Sequence, residues 1–186
     1  LGIGAGYSNT QSVLMSDDPS ILARLFFGRE LSRQGELLIG IELGIQSGNS
    51  GFLKLTDEQN LDHGGVDVRA KINYAADLLV TVAKPFKDKK LFGFIKAGIA
   101  FRSMSFNRDA SFKNSGKIDP EIQAGISYII SDTYSISIAY QGIYSGKMGL
   151  TITNPSGQLG EGFGTIKNIP TQHGVLLNFA MTFTDN

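Results

Sequence analysis

The sequence predicts an all-β fold: a single domain over residues 1–186 that forms an eight-stranded antiparallel up-and-down β-barrel. Two observations lead to this prediction. Apolar residues recur at every second position in eight stretches, and the links between these stretches alternate between long and short. A period of two places successive side chains on opposite faces of a strand, whereas a helix needs a period of 3.6. Apolar runs are too short for a transmembrane helix.

The clearest stretch is Val66–Val82, in which every second residue is apolar and mostly polar or charged residues lie between. Such a long alternation predicts a strand with two different faces. Seven further stretches repeat the pattern. The predicted strands cover residues 1–8, 21–28, 36–46, 66–82, 91–102, 118–130, 134–145 and 172–183.

The links after the odd-numbered strands are long, and those after the even-numbered strands are short. In an up-and-down meander these two sets lie at opposite ends of the barrel. We therefore expect three short turns at one end and four long loops at the other, covering residues 9–20, 47–65, 107–117 and 146–171. This asymmetry is typical of transmembrane barrels, which have short periplasmic turns and longer external loops.

Composition excludes several classes of function. The 17 Lys and Arg residues are balanced by 17 Asp and Glu, so the basic surface of a nucleic-acid-binding protein is not expected. The absence of Cys excludes disulfides, Cys-ligated zinc and thiol catalysis. Because the chain begins at Leu1 rather than Met, we expect a processed or trimmed chain.

The direction of the apolar face decides between a soluble ligand carrier and a membrane barrel. This face carries more large side chains than the interior of an eight-stranded barrel can hold. The opposite face is rich in Gly, Ala and Ser, which fit a narrow interior. We therefore predict that apolar residues such as Ile39, Ile72 and Ile138 face acyl chains.

The predicted inner face carries five positive and five negative residues. Charges removed from water cost several kcal/mol each unless they are paired, so equal numbers predict an internal ion-pair network that fills the lumen. If the barrel were instead soluble, this face would be its solvated surface, and the equal numbers of positive and negative residues would be a coincidence. The predicted members are Arg24, Glu42, Asp67, Arg69, Lys71, Asp77, Lys96, Arg102, Asp119 and Glu121.

Aromatic residues on the outer face are expected at the two membrane interfaces. Tyr74 and Tyr140 lie nearer the middle of their strands, which weakens this pattern. Strand direction places Phe27, Tyr128, Tyr134 and Phe183 near the turn end, and Tyr7, Phe101 and Tyr144 toward the loop end.

Three segments resemble strands of one known family. Residues 91–100 resemble its central aromatic-x-Lys-Ala-Gly strand, residues 124–128 and 133–140 its hairpin of strands six and seven, and residues 172–183 its closing strand. The family is the small outer-membrane β-barrels of Gram-negative bacteria, the OmpA-like and opacity-protein group. The resemblance covers nearly the whole chain. It implies an integral outer-membrane location with the loops outward, contact with outer-membrane lipid and lipopolysaccharide, and assembly by the barrel-insertion machinery.

One departure from the family concerns the end of the chain. The insertion signal of the family usually ends on the last aromatic residue, here Phe183, but this chain continues to Asn186. Either the signal tolerates the overhang, or the native protein continues into a periplasmic domain.

Enzymatic and metal-binding signals are weak, so we predict no catalytic site, cofactor or metal. A lipid A-modifying enzyme would need a Ser/His/acid set at the membrane rim. His173 could pair there with Ser145, but the local sequence does not resemble the deacylase pattern. The other histidine, His63, is in a long loop. The acidic pairs at 17–18 and 57–58 lack the spacing of a calcium loop.

The first functional hypothesis is a barrel that supports membrane integrity and acts in surface adhesion or host interaction, because recognition residues concentrate on loops. Candidate contacts with a host or cell-surface ligand are the apolar loop residues Val13, Leu14, Met15 and Phe163. Loops that pack on each other or on lipopolysaccharide are the alternative. The second hypothesis is a low-conductance porin-like channel, although Arg24, Glu42, Lys71 and Lys96 are expected to block the lumen.

Overall fold

The computed structural model describes residues 1–11, 20–48, 50–52, 69–87, 89–106, 116–144, 148–152, 162–166 and 171–183. Within these ranges, the side chains of residues 10–11, 50–52, 69–71, 104–106, 116–117, 148–152 and 162–166 lie outside the description. No helix in the described part of the chain is long and apolar enough to cross a membrane.

Eight long antiparallel strands form the wall, as the sequence predicts. The strands in the described residues are β1 (Gly2–Gln11), β2 (Ser20–Gln34), β3 (Leu37–Ser47), β4 (Ser50–Phe52), β5 (Arg69–Pro85), β6 (Leu91–Phe106), β7 (Gly116–Ile129), β8 (Tyr134–Ile143), β9 (Met148–Ile152), β10 (Gly162–Ile166) and β11 (Thr171–Met181). The order around the barrel is β1-β2-β3-β5-β6-β7-β8-β11, and β11 pairs with β1. This closure confirms the predicted eight-stranded, all-antiparallel fold class.

The strands are staggered as they go around the barrel. We start at Ser137 on β8 and step from each residue to its paired residue on the next strand, through β11, β1, β2, β3, β5 and β6. This path reaches β7 at Lys117. The direct pairing of β8 with β7, however, places Ser137 opposite Ser127. Lys117 and Ser127 are ten residues apart in the sequence. A stagger of this size requires the strands to tilt by about 40° from the barrel axis.

Three short strands lie outside the eight-stranded wall. β4 extends the sheet next to β5, and β9 pairs only with β10 in a separate two-stranded sheet. This hairpin lies within residues 146–171, the long link that the sequence predicts, and it was not among the predicted strands.

The turn between β2 and β3 is tight because Gln34 and Leu37 pair directly, which leaves only Gly35 and Glu36 between them. Gly35 has φ 62°, a left-handed conformation that two-residue hairpin turns require and that glycine adopts without steric cost. β2 continues six residues beyond its predicted end at residue 28. The alternating strand directions place all four long links at the end of the barrel opposite this turn.

Pro120 marks the end of the ladder between β7 and β8. The last paired residues are Glu121 and Ile143, and the Tyr144 amide donates one further bond to the Pro120 carbonyl. Proline has no amide hydrogen to return a bond to β8, so pairing stops there. β8 therefore ends at Ile143, two residues before its predicted end.

An irregularity in β5 reverses the alternation that the sequence predicts. The register with β6 shifts between Ile72 and Tyr74, so Asn73 is an extra residue in the ladder. A bulge exchanges the faces of the residues before and after it. Ile72 is therefore 3% exposed, whereas Tyr74 is 42% exposed. The prediction that Ile72 faces outward is wrong, whereas Ile138 is exposed and Ile39 is partly exposed.

Candidate functional site

The lumen holds the charged residues that form the candidate site. Seven of the ten predicted members have described side chains, and none of the seven is more than 8% exposed. Asp67 lies outside the described residues, as do the side chains of Arg69 and Lys71. The seven inward-facing residues are Arg24, Glu42, Asp77, Lys96, Arg102, Asp119 and Glu121.

Four of these residues form a connected group, here called the four-charge cluster: Arg24, Glu42, Asp77 and Lys96. Arg24 Nη1 donates to Glu42 Oε1 at 3.0 Å, and Nη2 donates to Asp77 Oδ1 at 2.5 Å. Lys96 Nζ donates to the other Glu42 oxygen, Oε2, at 2.6 Å. The members come from β2, β3, β5 and β6, which are consecutive in the wall. The cluster therefore ties four strands together across the lumen.

A glycine makes room for the contact between Arg24 and Asp77. Gly44 lies on β3 between its partners Phe26 on β2 and Asp77 on β5. A Cβ atom at Gly44 would lie 2.6 Å from Asp77 Oδ2, closer than carbon and oxygen atoms pack. A larger residue at this position would displace the carboxylate from the guanidinium.

Two aromatic rings line the side of the cluster nearer the turns. Lys96 Nζ lies 5.4 Å from the ring centroid of Phe26 and 5.1 Å from that of Phe94, and the Arg24 guanidinium carbon lies 5.2 Å from Phe26. Cations are attracted to ring faces within about 6 Å. Phe26 and Phe94 are buried inside the barrel and were not among the predicted site residues.

A second ion pair lies nearer the loop end. Arg102 on β6 donates from Nε at 2.9 Å and from Nη2 at 2.6 Å to Asp119 Oδ2 on β7. Both residues are at most 1% exposed. This pair is electrically neutral, as is the four-charge cluster.

Glu121 is bound by amides instead of cations. Its Oε1 accepts hydrogen bonds from Gln123 Nε2 and Gln141 Nε2, both at 2.7 Å. Gln141 Nε2 also donates to Gln46 Oε1 at 3.0 Å. Counting charges did not identify these glutamines as site residues, although the alternation puts each of them on the inner face.

The lumen also holds large apolar side chains, which the sequence analysis did not single out. Leu22, Leu79, Ile143 and Leu176 are completely buried. Leu22 and Leu176 are both paired with Gly6, which lies between them on β1. Alternating large and small residues in this way fills a narrow barrel.

The predicted interface aromatics all lie on the outer wall, with exposures between 40% and 63%. Tyr134 stacks on Phe179 near the turn end, with ring centroids 5.5 Å apart. The residues concerned are Tyr7, Phe27, Phe101, Tyr128, Tyr134, Tyr144 and Phe183.

His173 lies on the outer wall near the loop end between two tyrosines. Its Nδ1 hydrogen-bonds the Tyr140 hydroxyl. The Tyr140 ring stacks on the imidazole with centroids 5.8 Å apart, and the Tyr144 ring meets the imidazole edge-on with centroids 5.7 Å apart. Ser145, the serine considered as its catalytic partner, lies outside the described residues, as does His63. Among described residues, no three His, Asp or Glu side chains gather as a metal site would require.

The predicted loop contacts cannot be placed on this site. Val13, Leu14 and Met15 lie outside the described residues, and Phe163 is described only as part of the β10 backbone.

Comparison with known proteins gives matches only at the level of structure. No family model and no curated protein sequence matches the chain. The crystal structure of Neisserial surface protein A superposes with a TM-score of 0.59 at 12% identity, over 98% of this chain and 95% of that one. The crystal structure of the outer membrane protein OprG from Pseudomonas aeruginosa gives a TM-score of 0.59 at 11% identity, over 99% and 95%. At these identities the likeness shows a shared β-barrel fold.

Proposed function

We propose that the chain is an integral protein of the bacterial outer membrane, with its apolar wall against acyl chains and its charged residues enclosed. The observation that carries this proposal is the outer wall. Every strand of the barrel exposes large apolar side chains, which together form an apolar belt around the outer wall. One residue from each strand serves as an example. Exposures lie between 47% and 61% for Ile3, Leu25, Leu43, Val80, Ile95, Ile126, Ile138 and Leu177.

The distribution of exposed charge supports the same orientation. Among the residues whose side chains are described, exposed charged residues occur only toward the turn end. A soluble barrel would carry such residues over its whole outer surface, because an apolar patch of this extent is unstable in water. The exposed charged residues are Arg29, Glu30, Arg33, Glu36, Lys84, Lys87, Lys89, Lys90 and Asp132.

The first experiment measures the state of the purified chain. We expect the folded protein to stay in solution only with detergent or lipid, because water would otherwise contact the apolar belt. We also expect the folded form to migrate differently from the heat-denatured form on gels, because a closed barrel resists unfolding by detergent. A monomer that is soluble without detergent would instead support a ligand carrier.

Within the membrane, we propose that the barrel acts structurally and that its long links contact other cells or host factors. All four long links leave and re-enter the wall at the same end of the barrel. We expect cells that display the barrel to bind a host-cell layer less when residues 146–170 are replaced by a short Gly-Ser linker. The matched control exchanges the turn at residues 86–90 for a linker of equal length. Equal adhesion by both variants and the unaltered protein would refute the adhesive role.

Neither alternative function gains support from a specific contact. The four-charge cluster fills the lumen with paired side chains, which argues against a porin-like channel. His173 hydrogen-bonds a tyrosine instead of a described serine or carboxylate, so a lipid A-modifying activity is not favoured.

A further inference from the structure

One of the three short turns is strongly basic. The turn between β5 and β6, here called the lysine turn, covers residues 84–90 and contains four Lys and one Asp. The turn between β2 and β3, residues 29–36, contains two Arg and two Glu, and the turn between β7 and β8, residues 130–133, contains one Asp. Only the lysine turn therefore has a net positive charge among the three. Its cations are Lys84, Lys87, Lys89 and Lys90, and all four are exposed.

Backbone hydrogen bonds attach the lysine turn to the wall. The Phe86 amide donates to the Leu91 carbonyl at 2.8 Å, which leaves residues 87–90 at the tip. The Ile129 amide donates to the Lys90 carbonyl at 2.8 Å, so the tip is also attached to β7. The four lysines are therefore carried by a backbone that the barrel holds on both sides of the tip.

The first lysine of the turn lies at the edge of the apolar belt. Alternation along β5 puts Lys84 on the outer face, two residues beyond Val82, which is 41% exposed. Lys84 pairs with Gly93 on β6. A Cβ atom at Gly93 would lie 3.3 Å from Phe86 Cζ, so the exposed Phe86 ring packs over this glycine. An aromatic ring and a lysine thus lie side by side where the belt ends.

This arrangement suits a lipid headgroup better than an anion in solution. Aromatic rings favour the boundary between acyl chains and headgroups, and the stem of a lysine can lie along apolar surface while its ammonium group reaches a phosphate. Counting Asp88 in the turn and Asp132 in the neighbouring one, four cations face two anions. An excess of cations favours lipids with a net negative charge, because a zwitterionic headgroup brings a cation of its own.

We propose that the lysine turn binds the headgroups of anionic phospholipids, such as phosphatidylglycerol, on the turn side of the membrane. This inference rests on the proposed membrane location. Each lysine near an anionic membrane surface strengthens binding about fivefold, and salt weakens the attraction. The barrel should therefore gather anionic lipid at one place on its circumference.

The test is native mass spectrometry of the folded barrel in nonionic detergent, titrated with phosphatidylglycerol or with phosphatidylcholine of the same acyl chains. We expect phosphatidylglycerol to bind at least about tenfold more tightly at low salt, and this preference to shrink in about 0.5 M ammonium acetate. Lys87→Gln combined with Lys89→Gln should lower the preference at least about fivefold. Displacement of the lipid by an equal concentration of inorganic phosphate would assign the turn to a soluble anion and overturn the proposal.

The matched control is Arg29→Gln combined with Arg33→Gln, which removes two exposed cations from the turn between β2 and β3 and should keep the preference. Equal wild-type affinities for the two lipids would overturn the proposal, and so would an equal loss in both double variants. A barrel that needs detergent but shows no preference would refute this inference alone, whereas a barrel soluble without detergent would refute the membrane location on which it rests.

A second measurement covers the case in which the lysine variant fails to fold. The wild type in detergent is acetylated with a water-soluble reagent in the presence of either lipid. Phosphatidylglycerol should slow the modification of Lys87 and Lys89 at least about twofold relative to phosphatidylcholine, because a bound phosphate covers their ammonium groups. Equal rates with the two lipids would refute the site.

Discussion

Replacing Arg24 with methionine should lower the free energy of unfolding by about 3–5 kcal/mol, the usual cost of breaking a buried ion pair from one side. The Arg24 side chain is fully buried and binds two carboxylates. Without it, Glu42 keeps Lys96, but Asp77 loses the cation that hydrogen-bonds both of its oxygens. Urea unfolding in detergent measures the loss.

The chain offers a matched control for this variant. Arg33 also pairs with a glutamate, but its side chain is 63% exposed, so Arg33→Met should cost less than about 1 kcal/mol. Combining Arg24→Met with Asp77→Asn should recover part of the loss, because the second change removes the stranded charge. Equal costs for Arg24→Met and Arg33→Met would show that the cluster does not hold the strands together.

Bilayer recording of Glu42→Ala tests the channel hypothesis. A regular conductance of the wild type that this variant changes would contradict a blocked lumen.

Arginine in place of Ile138 should make folding into lipid vesicles less favourable by about 2–4 kcal/mol, as expected for a cation near the middle of a bilayer. Ile138 is 48% exposed on β8, where its neighbours in the wall are Ile126 and Leu177. Its position midway along the strand places it far from both interfaces. Folding yield and urea titration in vesicles measure the effect.

The control substitution is Thr182→Arg, at an exposed position just beyond β11 at the turn end. A cation near an interface should cost at most about 1 kcal/mol. Equal effects at both positions, or better solubility of Ile138→Arg without loss of stability, would mean that the apolar belt does not face lipid.

The sequence predicts the wall of this barrel well because alternation depends only on the two faces of a strand. It cannot reveal where an extra residue enters a ladder, since the bulge at Asn73 leaves a continuous alternation in the sequence while exchanging the faces of β5. The sequence also does not predict which charged residues pair with each other. Arg24 and Asp77 are 53 residues apart, and the stagger of the strands determines that they meet.

The glutamines near Glu121 illustrate a different limit. Gln46, Gln123 and Gln141 lie at inward positions of predicted strands, so their burial follows from the alternation. Their role in binding Glu121 and one another does not follow from the sequence, because a count of formal charges takes no account of neutral amides. Of the five cations and five anions that the sequence suggested, three cations and four anions have described side chains, and all seven are buried in the lumen.

The pairing of β1 with β11 has a consequence for the order of assembly. Gly2 meets Ala180, and the Leu1 nitrogen donates to the Met181 carbonyl, so the wall closes through contacts between its first and last strands. Contacts this distant in sequence are slow to form, because closing a loop of this length costs conformational entropy before the contacts can compensate for it. A nascent or truncated copy that lacks residues 171–181 would carry two unsatisfied strand edges, which are open to wrong partners and to chaperones.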